Sequence, residues 1–268
     1  MKNKMFNKIL IVHNERKTNE NPDALNEVIK VLNKLHKDFL IVNLASLKKN
    51  HFNFIDLVLT LGGDGTFITA SHYLDETPII GINSNKKTSE GFLTELNNEQ
   101  IHLLEDILNG NHEVIKRQRA ALKINGELVD KHALCEIYVG AEKQFHTARY
   151  ILKLGEEEEE HRSSGIIVVT GSGSTAWYKS AGGDPFHHEE KRLKFLVREP
   201  YTGENLFKPK MLAGEIPHKE KISIESKRYQ GGMVALDCHL TFPFNLGDKV
   251  EIVLSDKPLK VVRRKNGL

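Results

Sequence analysis

Apolar residues come in short runs in the first part of the chain. Ile55, Leu57, Val58, Leu59 and Leu61 form a nearly continuous one that stops abruptly at Gly62-Gly63-Asp64-Gly65-Thr66. Such a run predicts a strand over 55–61 that is buried on both faces of a parallel sheet. Residues 8–13, 39–44 and 78–83 predict three more strands. Leu25, Val28, Ile29, Leu32 and Leu35 recur at helical spacing, so a helix is expected from Asn21-Pro22-Asp23 to about residue 37. A second helix is expected over 67–74. A third, capped by Asn97-Asn98-Glu99-Gln100 and carrying Ile101, Leu104, Ile107 and Leu108, stops at Gly110. Strands alternating with helices predict β-α-β units with right-handed crossovers. Ligands in such sheets bind beyond the carboxyl ends of the strands, where residues 62–66 and Asn83 fall.

After Gly110 the pattern changes. Residues 119–125 and 128–129, joined by Gly126-Glu127, read as a hairpin, and 133–139 as a single strand. Strands are also expected over 150–154, 166–170, 233–236 and 249–254, with one helix after Ser174. The expected fold is an α/β N-terminal domain with a parallel sheet over 1–109, plus a β-rich, mostly antiparallel C-terminal domain over 110–268.

Composition narrows the field. The 268 residues are 39% hydrophobic and 28% charged, as in an ordinary globular protein and unlike a disordered one. Lys and Arg (38) nearly balance Asp and Glu (36), and a net charge of +2 gives no electrostatic case for nucleic acid or membrane as a partner. No apolar run approaches the ~20 residues needed to span a bilayer. The N-terminus starts basic, but its apolar part is only strand-length, so a signal peptide is not expected. Cys135 and Cys238 have no CxxC spacing; reduced thiols and a cytoplasmic location are expected.

The 62–66 turn carries the clearest chemistry. Its three glycines permit φ > 0 and let a phosphate approach without a Cβ in the way. Successive N–H groups there can form an anion-binding concavity, and a helix starting at Thr66 would add its dipole. Asp64 is negative, so it suits proton acceptance from a hydroxyl, or metal binding, better than phosphate binding. The plainer alternative is a helix cap. A second small-residue turn, Thr170-Gly171-Ser172-Gly173-Ser174-Thr175-Ala176-Trp177, again follows an apolar run and suits a ribose or phosphate. Trp177, the single tryptophan, either stacks on a planar base or belongs to the core. Residues 155–160, GEEEEE, read as a solvated hairpin turn. His187-His188-Glu189-Glu190 lacks a third ligand at regular spacing and reads as an exposed loop rather than a metal site. No GxxxxGK[ST] occurs, and no GxGxxG follows the first strand.

LGGDGT resembles the phosphate-loop signature shared by NAD kinases, diacylglycerol and sphingosine kinases and 6-phosphofructokinases. Three further stretches resemble NAD kinases in particular: PIIGIN at 78–83, GFLTEL at 91–96 and TGSGSTAWYKSAGG at 170–183. The resemblance covers most of the chain. It implies phosphoryl transfer from ATP to the 2′-hydroxyl of the adenosine ribose of NAD, with Mg²⁺ or another divalent cation accompanying ATP. It makes Asp64 the general base and has Gly62, Gly63, Gly65 and Thr66 cradle phosphates. NAD contacts are implied for Asp64, Gly65, Cys135, Glu136, Arg162, Ser164, Thr175, Ala176, Trp177, Ser180 and His239. It also implies a homodimer or homotetramer, and a return of the last ~15 residues to the first domain.

Departures from the family pattern are local. Its Asn-Glu pair is here Cys135-Glu136, and a thiol is a poor hydrogen-bonding substitute for a carboxamide. Its Asp before the second turn's strand is Ser164, its closing Asp-Gly-Gln is Asp237-Cys238-His239, and Thr69 replaces a basic or aromatic residue. These features look closer to the divergent mitochondrial-type branch. A lipid or sugar kinase sharing the GGDGT loop, and a non-catalytic NADP(H) sensor, are the alternative functions.

Overall fold

The computed structural model describes residues 6–15, 22–143, 145–204, 207–237 and 239–265. The first five residues, the expected helix start at Asn21 and the expected thiol of Cys238 lie outside them. The chain divides into two compact units, Met1–Lys116 with Leu259–Leu268, and Arg117–Pro258. No helix among the described residues is long and apolar enough to cross a membrane.

In the first unit, β1 (Lys8–His13), β2 (Asp38–Asn43), β3 (Leu57–Gly62) and β4 (Ile79–Asn83) pair in parallel, and short β5 (Leu96–Asn97) adds to β4. Every residue of β3 and β4 is buried, as expected for central parallel strands, whereas edge strand β2 leaves Leu40 44% exposed. Helix α1 (Pro22–Lys34) lays Ala24, Val28 and Leu32 into the core that also takes Ile9, Ile11, Leu57 and Leu59. Helix α2 runs Asp64–Ser71, starting two residues before the expected Thr66. An acidic residue in the first turn complements the positive end of a helix, so Asp64 is well placed there.

The third expected helix is split. A 3₁₀ stretch, Asn98–Leu103, leads into α3 (Leu104–Leu108). Asn97 caps it by accepting from Glu99 N–H, while Gln100 accepts from Asn97 N–H. Strand β6 (His112–Arg117) joins this sheet, in the order β2-β1-β3-β4, then Leu259–Arg264, then β6. That is why the division falls after Lys116 rather than near Gly110.

The second unit is built from two antiparallel sheets. Its strands are β7 (Ala120–Ile124), β8 (Glu127–Ala133), β9 (Glu136–Ala141), β10 (Ala148–Leu154), β11 (Glu157–Ser163) and β12 (Gly165–Val169). They continue with β13 (Arg192–Arg198), β14 (Ala213–Pro217), β15 (Lys221–Ser226), β16 (Gly232–Leu236), β17 (Leu240–Pro243) and β18 (Lys249–Leu254). One sheet is ordered β11-β10-β15-β18-β7-β8 and the other β14-β13-β12-β9-β16-β17. Leu122, Leu152, Ile224 and Ile252 of the first meet Ile137, Val139, Val168 and Val234 of the second in one core.

Two expectations need correction here. Residues 133–139 are two strands, because the chain leaves one sheet at Ala133 and enters the other at Glu136. The glutamate run is mostly strand: the turn is Gly155-Glu156, and β11 begins at Glu157. It lies at a sheet edge beside β10, where Glu158 stands opposite Lys153 and charge faces solvent at little cost.

Burial separates two otherwise similar leucines. Leu59→Ala is expected to cost about 2–5 kcal/mol in urea unfolding, as a cavity in a sealed core does. Leu40→Ala on the exposed edge is expected to stay within about 0.5 kcal/mol. Equal losses would mean that the sheet is not layered as described.

Candidate functional site

In the first unit, β3 delivers the chain to Gly62 and α2 begins at Asp64, with Gly63 as its N-cap. None of Gly62, Gly63 and Gly65 takes a positive φ. Their value is closeness. A Cβ on Gly62 would collide with the Thr66 hydroxyl, and one on Gly63 would lie 2.6 Å from Ser89 Oγ. Beside Gly65 there is open space out to 4 Å. Thr66 N–H donates to Gly63 O, so the donors that α2 offers where the loop turns, at the positive end of its dipole, are the N–H groups of Asp64 and Gly65.

Asp64 is not a helix cap. Its carboxylate oxygens accept from Phe92 N–H (3.1 Å) and Leu93 N–H (2.8 Å). The GFLTEL stretch thus orients the acid of the GGDGT loop. Gly91, at φ 72°, makes the turn, and Thr94 Oγ1 closes it onto Gly91 O. Asn83, at the end of β4, donates to Ser89 O and accepts from Asn85 N–H, holding the intervening loop. Thr69 donates its hydroxyl to Gly65 O within the helix.

In the second unit, antiparallel pairing brings the start of β9 beside the ends of β12 and β16: Glu136 pairs with Val169, and Ile137 with Leu236. Three sequence motifs therefore meet at one end of one sheet. Buried Asp237, at φ 50°, accepts from Leu134 N–H (2.7 Å), Cys135 N–H (2.7 Å) and Glu136 N–H (3.0 Å). Thr170 Oγ1 donates to Leu134 O, and Thr170 N–H to Cys135 O. Gly173 packs on the Cys135 backbone, leaving no room for a Cβ. Cys135 and Glu136 are both buried.

Downstream, Thr175, Ala176 and Ser180 are exposed and flank helix α4 (Trp177–Ser180) or close it. Trp177 is half-buried against the cluster of Tyr138, Ile167 and Val169, with the Arg198 guanidinium 4.9 Å above its ring. His239 is exposed just past β16. Ser164 and Arg162 are elsewhere: they precede β12, whereas Thr170 follows it, roughly 20 Å along the strand. There the Tyr138 hydroxyl reaches Ser164 O (2.6 Å) and Ala141 O (2.9 Å), and burial pushes the phenol's pKa up, keeping it a donor. Arg162 stacks over Phe207 at 4.5 Å.

Ser89, the Phe92 and Leu93 N–H groups and Arg198 are structural contributors that the sequence motifs did not single out, and Asp237, though first in the closing motif, acts in a way that motif did not indicate. Ser89 and residues 92–93 sit inside or beside a stretch already notable in sequence. Asp237 acts across 101–103 residues, and no local pattern signals that.

Comparison with known proteins also gives two parts, which meet at residues 107–112. The ATP-NAD kinase N-terminal domain matches residues 5–112, and the ATP-NAD kinase C-terminal domain matches 107–264. A probable NADH kinase from rice (Oryza sativa subsp. japonica) is 28% identical over 270 residues, covering 91% of this chain and 82% of its own. The NAD kinase of Aquifex aeolicus is 29% identical over 263 residues, covering 90% and 88%. An NAD kinase from Archaeoglobus fulgidus, solved in complex with ATP, superposes with a TM-score of 0.77 at 23% identity, covering 97% of this chain and 94% of that one. At that identity it shows a shared fold.

Two sets of substitutions test this geometry. Gly62→Ala is expected to lower Tm because of the Thr66 collision, and Gly65→Ala to leave Tm unchanged. Similar melting of both would contradict the close packing at Gly62. Asp237→Ala strands three backbone donors and is expected to cost about 3 kcal/mol or more in denaturant unfolding. Asp237→Asn, which tolerates the left-handed backbone and keeps one oxygen, should lose less. A neutral Asp237→Ala would remove the clamp from the account.

Proposed function

Because the chain belongs to the NAD kinase family, we propose that it transfers the terminal phosphoryl group of ATP to the 2′-hydroxyl of the adenosine ribose of NAD, giving NADP. The observation that carries this is the match of both family domains along residues 5–264, with Asp64 at the head of α2 inside the GGDGT loop. A lipid or sugar kinase would share the loop but would leave the match over 107–264 without a purpose.

Phosphoryl transfer asks chiefly for positioning and for offsetting negative charge. The open space at Gly65 and the donors opening α2 suit phosphate oxygens, and Mg²⁺ arrives as part of the MgATP substrate. Asp64 serves as general base. An ionised carboxylate has about four lone-pair sites, and the two N–H bonds from Phe92 and Leu93 leave others for a ribose hydroxyl while holding the group still.

Glu136, Thr175, Ala176, Trp177, Ser180 and His239 are assigned to NAD in the β-rich domain, and Cys135 holds that corner through its backbone bonds to Asp237 and Thr170. NAD is long and two-ended, which accommodates contacts from Arg162 and Ser164 at the far end of β12. The buried thiol of Cys135 supports a reducing, cytoplasmic setting. Exposed Phe145 and Tyr229, on loops joined by Glu142 N–H to Gly231 O, support a homodimer or homotetramer.

The test is NADP formation from MgATP with NAD or NADH as acceptor, alongside diacylglycerol and sphingosine as controls. Only the dinucleotides are expected to be phosphorylated. Asp64→Asn should lower kcat by ~10²–10⁴-fold with only a modest drop in Tm, since a carboxamide oxygen can accept from just one of the Phe92 and Leu93 N–H groups. An Asp64→Asn enzyme within a few-fold of wild type would remove the general-base role. Tight NADP binding with no turnover would replace the kinase by a sensor.

A further inference from the structure

The His187-His188-Glu189-Glu190 turn belongs to the second unit and has no part in the reaction above. Its backbone is fixed from several sides. Glu190 Oε1 accepts from His187 N–H at 2.7 Å, and Glu190 N–H donates to His187 O at 3.1 Å, which closes the turn. Gln118 N–H donates to His188 O (3.0 Å), and Gln118 Nε2 to Glu189 O (3.4 Å). Ser174 Oγ accepts from Phe186 N–H, and Gly171 lies so close to the His187 carbonyl that a Cβ would not fit.

This framework sorts the side chains. Glu190 is committed to the turn and to Arg192, 2.6 Å away. His187, His188 and Glu189 instead converge: one ligand-type atom from each lies within 4.8 Å of the others, and the two imidazole centroids are 4.2 Å apart. The contact from Glu189 N–H to His187 Nδ1 is long, 3.4 Å, and is readily exchanged. We infer that His187, His188 and Glu189 form a binding site for one divalent transition-metal ion of the zinc, cobalt or nickel class.

The donor set decides the class. Two neutral imidazoles and one carboxylate suit borderline metals, whereas Ca²⁺ and Mg²⁺ prefer oxygen alone. In a tetrahedral site with bonds near 2.0–2.1 Å, ligand atoms are about 3.3–3.5 Å apart. The gap to close is at most 4.8 Å, and rotation of the exposed His187 and Glu189 side chains on a fixed backbone closes it. Regular spacing, whose absence argued against this site in the sequence, is not required when a turn supplies the convergence. A bound ion would also stiffen the 170–176 turn, because Gly171 and Ser174 hold the segment that carries the ligands.

The experiment is calorimetric titration of the full-length, tag-free, chelator-treated protein with ZnCl₂, repeated with Co²⁺ and followed by its visible spectrum. One equivalent is expected to bind. His187→Ala, His188→Ala and Glu189→Gln should each weaken affinity by at least about 10-fold, and the double histidine variant should abolish it. Amide hydrogen exchange across 170–176 should slow on metal addition in the wild type only. Absence of saturable binding, or wild-type affinity in the double variant, overturns the site. If the double variant does not fold, Glu189→Gln decides, and unchanged affinity there overturns it equally.

Discussion

A backbone that leaves one sheet for another gives up its ladder partners, and its N–H groups must be satisfied by something else. In the second unit this happens between Ala133 and Glu136, and the Asp237 carboxylate meets the need with three hydrogen bonds. Everything at that end of the sheet follows from the clamp. With the 134–136 corner fixed, its carbonyls receive Thr170, and Gly173 can close on Cys135 without a side chain between. A carboxylate does this better than a neutral acceptor, since hydrogen bonds to a charged group are the stronger ones.

The first unit solves a related problem by different means. A strand buried on both faces must hand its chain to a helix within two or three residues, and the glycines allow that by their lack of volume. Thr66 sits under Gly62 and Ser89 over Gly63, so the loop is packed on two sides and open at Gly65. The acid at the head of the helix is steadied from outside the loop, by backbone donors at 92 and 93. The loop with its acid, and the restraint on that acid, therefore come from two separate stretches that parallel β3 and β4 bring side by side.

Much of this was legible in the sequence where burial is two-sided. The strands at 8–13, 57–62 and 79–83 show themselves as apolar runs, and the helix at 22–34 as a stripe. The antiparallel strands were harder. Strand β13 buries only Leu193, Phe195 and Val197, with basic residues at both ends, and β11 is written mostly in glutamates. Alternation over so few residues is a weak signal beside a continuous run. The loop glycines misled in another way: a glycine needed for closeness and one needed for a left-handed backbone look the same in sequence. The separation of Ser164 from Thr170 likewise depends on strand length, which motif matching does not measure.

The glutamates of β11 carry one more consequence. An outer strand displays unsatisfied peptide groups that any extended stretch of a neighbouring chain can match, and a growing stack of chains begins that way. Glu157, Glu158 and Glu160 line that outer strand with like charge, so a second copy approaching edge-on brings its own carboxylates against them. Those residues shape what the protein avoids becoming when many copies crowd together. Neutralising them would leave the fold's interior untouched and expose the chain to self-association, a liability felt first at high concentration or in acid.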